Sequence, residues 1–155
     1  AMGKATTEVV LGDARVTMER EFRESGSNEF DVLLVDAFSG DSIPVHLLTD
    51  EAFDLYAKHL RSDGILALHI TNLYVDLKDI VRGAANRLGM DAVWIEDYAE
   101  NWYEDDNDWV LIGNNPQFLR SRGMRSILTE WSSDQPRPVR WTDDFSNLFQ
   151  VLDWE

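Results

Sequence analysis

Apolar residues in the first half of the chain fall into short runs that are rich in β-branched side chains. Three of these runs predict strands: residues 9–11, 32–35 and 65–70. A near-continuous apolar run of this kind is typical of a buried parallel strand. The first run is followed by Asp13 and the second by Asp36, so each of them leads into an acidic side chain.

Apolar residues recur at helical spacing in three other segments. These segments are residues 52–60, 77–88 and 145–152. Thr49 precedes the first segment and has a side chain suited to an N-cap. Gly89 follows the second, where a glycine commonly ends a helix. For the third, in the tail, Asp143 or Asp144 is the expected N-cap.

The remaining apolar runs, residues 92–95 and 109–112, predict two further strands. No helical crossover separates them, so an antiparallel hairpin is the simplest connection. The order of elements predicts an α/β fold, with a doubly wound sheet that is mostly parallel and carries an antiparallel hairpin at its edge. Ligands of such sheets bind beyond the carboxyl ends of the strands. This rule selects Asp13, Asp36 with its following loop, and Thr71-Asn72.

Length and composition narrow this picture. The 155 residues correspond to one domain, which we expect to span residues 9–155, while residues 1–8 resemble an expression scar and leader. The chain has no cysteine and no apolar run that approaches the roughly 20 residues of a membrane span. The formal net charge of −15 argues against nucleic-acid binding. An acidic surface attracts cations such as polyamines, although solubility alone would also explain it.

Several segments, taken in order, resemble the spermidine synthase-like family of polyamine aminopropyltransferases. They are Gly12-Asp13-Ala14, the strand that ends at Asp36, the loop from there to Pro44, Asp63-Gly64-Ile65-Leu66, and Thr142-Asp143-Asp144-Phe145. The resemblance covers the C-terminal part of the family's methyltransferase-type Rossmann domain. The chain contains no Gly-x-Gly-x-x-Gly run. The resemblance therefore implies a partial sheet and an incomplete domain that lacks the first part of its cofactor site.

The resemblance also implies roles for individual residues. Asp36 is the expected catalytic residue, and the cofactor-binding residues are Asp13, Ala14, Asp36, Ala37 and Pro44. The expected substrate-binding residues are Asp41, Asn72 and Asp143. The acid of Asp41 is displaced from the family's Asp-Ser-Ser-Asp-Pro spacing. A turn cap at Asp36, a helix N-cap at Asp13 and a solvated loop acid at Asp41 are the structural alternatives.

None of the three histidines has metal-ligand spacing to nearby carboxylates, so we expect no metal site. His59 lies on a helix flank, which predicts a surface position. His69 alternates within a strand, which predicts a hydrogen-bonded core histidine more than a base.

The function implied by the resemblance is aminopropyl transfer from decarboxylated S-adenosylmethionine to a polyamine such as putrescine, with no tightly bound cofactor. As it stands, the chain is expected to be inactive. Two alternatives stay open: a methyltransferase-fold domain that uses S-adenosylmethionine, and a non-catalytic binding or assembly module.

We also expect a homodimer formed through the edge of residues 32–35 or through residues 9–11. The expected location is cytoplasmic. Some bacterial proteins that the chain resembles are fused to membrane-spanning N-terminal halves, which implies a parent chain tethered through a missing N-terminal part.

Overall fold

A computed structural model describes residues 5–36, 44–72, 74–98, 107–132 and 135–152 of the chain. In chain order its elements are α1 (Ala14–Ser25), β1 (Phe30–Val35), α2 (Asp50–His59), β2 (Leu60–His69), α3 (Lys78–Leu88), β3 (Asp91–Asp97), β4 (Asn107–Gly113), α4 (Pro116–Leu119) and α5 (Arg122–Arg125). Two 3-10 turns, Val45–Leu47 and Leu148–Gln150, complete the list. The strands form one four-stranded sheet in the order β1-β2-β4-β3.

The sheet is mixed. Strands β1 and β2 are parallel, whereas β4 runs antiparallel to both β2 and β3. The α/β class and the antiparallel hairpin are confirmed, but a mostly parallel sheet is not. The hairpin explains the difference, because it inserts its second strand beside β2 and so adds a second antiparallel pair.

Strand β2 begins earlier than predicted. Phe30 pairs with Leu60 and Val32 pairs with Ile65, so residues 61–64 form an irregularity within the strand instead of a turn before it. Gly64 lies where the two strands approach closely. A Cβ atom at this position would lie 2.6 Å from the carbonyl oxygen of Phe30, a distance that only glycine avoids.

Helices α2 and α3 form as their patterns predict. The Thr49 hydroxyl accepts the N–H of Ala52 at 3.3 Å and caps α2. Gly89 ends α3 with a φ of 67°, in the left-handed region that favours glycine. The two helices pack against Leu66 and Leu68 of β2 and their neighbours on β4 in one buried cluster, which holds the core on that face of the sheet.

Residues 9–11 do not form the predicted strand. They have no regular structure, and Val9 and Leu11 are largely exposed. A three-residue apolar run needs a neighbouring strand to become a β-strand, and none of the described strands pairs with it.

The tail does not form the predicted helix either. Within residues 142–152, the only helical structure is the 3-10 turn Leu148–Gln150, which is capped by the side chain of Asn147 and not by Asp143 or Asp144. Phe145 instead forms a β-bridge with Thr142. Phe145 and Phe149 are both exposed, so the apolar stripe does not pack as a helix face.

None of the helices described is both long enough and apolar enough to cross a membrane.

Candidate functional site

The carboxyl ends of β1 and β2 bring Asp36 and His69 together. Val35 is in register with Leu68, so the next residue on each strand lies beside the other. The Asp36 Oδ1 atom is 2.9 Å from His69 Nδ1. The Asp36 side chain is 50% exposed and that of His69 is 19% exposed, so the carboxylate is open to a ligand while the ring is mostly enclosed.

The other ring nitrogen of His69 meets Thr71. The distance from His69 Nε2 to Thr71 Oγ1 is 2.8 Å, and the same hydroxyl accepts the N–H of Asp108 at 2.7 Å. Trp109 stacks on the imidazole with ring centroids 4.7 Å apart. His69 is therefore hydrogen-bonded, as predicted, and it is held at both nitrogens and across one ring face.

Asn72 lies next to this group and stabilises its own loop. Its Oδ1 accepts the N–H of Tyr74 at 2.9 Å, which is a local turn contact. Two predicted site residues, Ala37 and Asp41, lie outside the described part of the chain.

A second group of predicted residues lines an open cleft of about 770 Å³ between the start of α1, the 3-10 turn before α2 and the tail. The residues that line it are Arg15, Pro44, Val45, His46, Thr49, Thr142, Asp143, Asp144, Phe145 and Ser146. At its centre, Arg15 holds both carboxylate oxygens of Asp143, at 2.7 and 2.5 Å. The Thr49 hydroxyl donates to Asp143 Oδ1 at 2.8 Å. The Arg15 guanidinium also donates a hydrogen bond to the carbonyl oxygen of His46 at 2.7 Å.

Charge and hydrogen bonding hold this centre in its ionised state. The Arg15 guanidinium, and after it the Thr49 hydroxyl, lower the pKa of Asp143 below its ordinary value. Asp143 in turn raises the pKa of Arg15. The cleft therefore presents a fixed ion pair at its base.

Asp13 caps α1 close to the cleft. Its Oδ1 accepts the N–H of Val16 at 2.9 Å, and its Oδ2 is 3.0 Å from His46 Nε2. The Val16 N–H, and after it His46, lower the pKa of the Asp13 carboxyl. The structure thus confirms the N-cap alternative for Asp13, with Ala14 as the first residue of α1. A carboxylate has about four acceptor positions, so this arrangement leaves capacity for a further hydrogen-bond donor.

One histidine is placed differently from its prediction. His59 is fully buried instead of lying on the surface. Its Nε2–H donates to the carbonyl of Met18 at 3.0 Å, and its Nδ1 accepts the N–H of Asn28 at 3.3 Å. Phe22 packs against the ring edge. The helix flank that appeared polar in the sequence is covered by α1 and the segment after it.

Sequence reasoning missed Arg15 and His46 as members of the cleft. Arg15 lies in the first turn of α1, and its partner Asp143 is 128 positions away. A contact at this separation leaves no periodic or local pattern. The sequence predicted two neighbouring site residues, Asp13 and Asp143. It did not predict Arg15, the cation that lies between them.

The mixed α/β fold resembles that of the spermidine synthases. The crystal structure of the spermidine synthase from Thermotoga maritima matches 74% of this chain and 40% of its own, with a TM-score of 0.50 and 14% identity. A probable spermidine synthase from Corynebacterium glutamicum matches 68% of this chain and 37% of its own, with a TM-score of 0.50 and 20% identity. A spermidine synthase in complex with the transition-state analogue AdoDATO matches 83% of this chain and 42% of its own, with a TM-score of 0.50 and 13% identity.

A curated relative carries the same likeness at the level of sequence. The polyamine aminopropyltransferase of Vibrio vulnificus is 40% identical over 60 residues, which are 39% of this chain and 19% of the relative. No family model matches the chain. The resemblance to spermidine synthase-like proteins that the sequence predicted is confirmed. The chain spans about a fifth of the curated relative and about two fifths of the solved structures.

Proposed function

We propose that this chain is part of a spermidine synthase-like aminopropyltransferase domain in which Asp36 binds and deprotonates the attacking amine. The observation that carries the proposal is the half-exposed carboxylate of Asp36 at the end of β1, held by His69 at the end of the adjacent parallel strand. The carboxyl ends of such strands are where α/β sheets bind ligands. The likeness to spermidine synthases gives this acid its proposed chemistry.

The proposed reaction is a displacement at carbon. A protonated amine of a polyamine such as putrescine loses a proton to the Asp36 carboxylate, which frees its lone pair. The nitrogen then forms a bond to the aminopropyl carbon of decarboxylated S-adenosylmethionine. The bond from that carbon to the sulfonium sulfur breaks, and the electron pair returns to sulfur in the thioether product.

The remaining predicted residues have proposed roles around this step. Asp13, Ala14 and Pro44 lie at the start of α1 and along the cleft, where the adenosyl group of the co-substrate would bind. Asp143 faces the same cleft and Asn72 follows β2, so both are proposed to contact the amine. We retain Ala37 and Asp41 in the proposed site on the family resemblance alone.

We further propose that these 155 residues do not catalyse the transfer by themselves. The chain contains no Gly-x-Gly-x-x-Gly run, and it matches 37–42% of the length of the solved spermidine synthases. A transferase must hold both substrates in line, and loss of that positioning removes several kcal/mol of catalysis, on the order of 7 or more.

Association of two copies is part of the proposal. In the described part of the chain, β1 pairs with β2 and with no other strand. Val32 is 61% exposed and Leu34 is 56% exposed on this strand. An apolar edge strand with unpaired backbone groups is a template for pairing, and a two-fold dimer is the commonest closed solution.

Binding of the amine tests the proposed function directly. We would titrate isotope-labelled protein with putrescine and follow the NMR signals of Asp36 and His69. We expect saturable shifts at millimolar diamine, corresponding to roughly −4 kcal/mol. Asp36→Asn should lose them, and Asp63→Asn, at the other end of β2, should keep them.

Unchanged signals at these two residues with wild-type protein would contradict the proposal. Saturable binding that survives Asp36→Asn would also contradict it, because the amine would then bind elsewhere. A thermal-shift measurement compares S-adenosylmethionine with the amines. Tighter binding of S-adenosylmethionine than of any amine would favour the methyltransferase-fold alternative.

A further inference from the structure

We infer that His69 and Thr71 form a positioning unit that donates one hydrogen bond to Asp36 and aims its carboxylate at a cationic amine. The inference deepens the proposed function and rests on it for the identity of the ligand. The inference about the tautomer of the His69 imidazole does not depend on the proposed function, because it is drawn from the hydrogen bonds of the ring alone.

Asp36 and Thr71 together determine which nitrogen of His69 carries the proton. The Asp36 carboxylate accepts hydrogen bonds, so Nδ1, the nitrogen that faces it at 2.9 Å, carries the proton. Thr71 Oγ1 accepts the backbone N–H of Asp108 at 2.7 Å, and its own proton is free to be donated to His69 Nε2, 2.8 Å away. A neutral imidazole has one donor and one acceptor nitrogen. Nε2 is therefore the acceptor, and Nδ1–H donates to Asp36 Oδ1 at 2.9 Å.

This tautomer has a consequence for charge. An imidazolium beside Asp36 would cancel the carboxylate's charge and repel an incoming ammonium group. Protonation of His69 at Nε2 would require the Thr71 hydroxyl to turn its proton away from the ring. The Asp108 N–H fixes the position of the Thr71 oxygen and Trp109 stacks on the ring, so the heavy atoms of the unit are held in place. A neutral donor leaves the full negative charge on Asp36.

The same contact orients the carboxylate. Oδ1 is bound to the ring, so Oδ2 is the oxygen that meets the amine. In the proposed step the ammonium proton moves to Oδ2, while His69 keeps its Nδ1 proton throughout. His69 is thus a positioning residue and not the base.

The tautomer can be measured without any substrate. Nitrogen-15 correlation spectra of the His69 ring report which nitrogen is unprotonated, and we expect Nε2 to be the unprotonated atom near neutral pH. Thr71→Val removes the hydroxyl, and we expect the Nε2 signal to move toward that of an acceptor nitrogen without a hydrogen bond, while Nδ1 keeps its proton. The matched control is Thr129→Val, because the Thr129 hydroxyl accepts the N–H of Glu96 at 3.0 Å without contacting an imidazole. We expect this control to leave the His69 signals unchanged.

Binding of putrescine supplies the second arm. His69→Asn keeps an N–H donor near the position of Nδ1, whereas His69→Leu removes it. His69→Leu leaves Asp36 without the donor that aims its carboxylate, so it should weaken diamine binding by about tenfold, which corresponds to about 1.4 kcal/mol. His69→Asn should retain affinity within about threefold. Circular dichroism would confirm that each variant is folded.

Three results would overturn the inference: an Nε2–H tautomer in the wild type, no change of the His69 Nε2 signal in Thr71→Val, or equal loss of diamine binding in the Asn and Leu variants. Covalent labelling of Thr71 by diisopropyl fluorophosphate would also overturn it, because His69 would then be acting as a base toward a hydroxyl nucleophile. If the tautomer is as expected but wild-type protein binds no diamine, the proposed function fails. In that case the spectra would still support the positioning of Asp36 by His69.

Discussion

The Arg15 guanidinium holds both oxygens of the Asp143 carboxylate, at 2.7 and 2.5 Å, across 128 positions of sequence. Thr49, the N-cap of α2, donates to the same carboxylate. The pair therefore ties the first helix, the entry to the second helix and the tail into one hydrogen-bonded centre. The Arg15 side chain is 11% exposed, and its charge is compensated by Asp143 and by Glu19, whose Oε1 lies 3.0 Å from Arg15 Nε.

Removing the cation from this centre should destabilise the fold. Arg15→Gln leaves Asp143 without its two charge-assisted hydrogen bonds, and such bonds contribute about 1.5–3 kcal/mol each in favourable settings. Asp143 remains partly exposed to water, so we expect a total loss of only about 1–2 kcal/mol. Urea unfolding would measure it. The matched control is Arg20→Gln on the exposed face of the same helix, which should change stability by under about 0.5 kcal/mol. Equal stability of both variants would show that the pair contributes nothing.

The same centre should make stability sensitive to acid. The pKa values of Asp143 and Asp13 are both lowered in the fold. A carboxyl group with a lowered pKa stabilises the fold above its unfolded value, about 3.9, and this stability is lost as pH falls through the lowered folded value. We expect the free energy of unfolding to fall between about pH 5 and pH 2, and to fall less steeply in Asp143→Asn. Parallel pH profiles for the variant and the wild type would contradict the assignment.

Tyr56 should have the opposite dependence on pH. Burial raises the pKa of its phenol, and the hydroxyl donates to the carbonyl of Leu47 at 3.1 Å. A raised pKa means that stability is complete below the unfolded value of about 10 and declines as pH rises beyond it. Tyr56→Phe should lose about 1 kcal/mol at neutral pH and should show a weaker decline above pH 10. Tyr74→Phe, at an exposed position, should match the wild type at both pH values, and chemical unfolding at pH 7 and 10.5 would test all three proteins.

Association should depend on the open edge of the sheet. We expect sedimentation velocity at high micromolar concentration to show a dimer. Leu34→Lys should shift it to monomer, because a charge on an edge strand opposes pairing. Val16→Lys is the control, since Val16 is also exposed but lies on α1. A wild-type monomer, or a dimer that Leu34→Lys leaves intact, would remove the proposed interface.

The 155-residue polypeptide should not form product from decarboxylated S-adenosylmethionine and putrescine. The expected rate lies below the detection limit of an assay in which a complete spermidine synthase is readily active, because both substrates need positioning. Mass spectrometry of spermidine formation would check this. Robust turnover would contradict the proposal, because these 155 residues would then position both substrates without a Gly-x-Gly-x-x-Gly run.

Strong local patterns were sufficient to predict most of the central fold. Strand β1 follows from its apolar run, α2 and α3 follow from their spacing and caps, and the β3–β4 hairpin follows from the lack of a crossover. In each case the signal lies within about a dozen residues, where propensity and periodicity act directly.

The failures have a common physical cause, which is dependence on a distant partner. Residues 9–11 could become a strand only beside another strand, and the burial of His59 depends on the carbonyl of Met18, 41 positions away. The tail stripe would have needed a surface to pack on. For the site, Asp36 and Asn72 were selected because the strand-end rule is local, whereas the pairing of Asp36 with His69 depends on the register of two strands.

Asp108 forms hydrogen bonds to three residues through its backbone and its side chain. Its carbonyl accepts the N–H of Ile70, its N–H donates to Thr71, and its carboxylate accepts the indole N–H of Trp94 from the core. Asp108 therefore links the β3–β4 hairpin to Thr71, the residue that contacts the imidazole. A shift of β4 by a single residue would break all three contacts together and release the Thr71 hydroxyl.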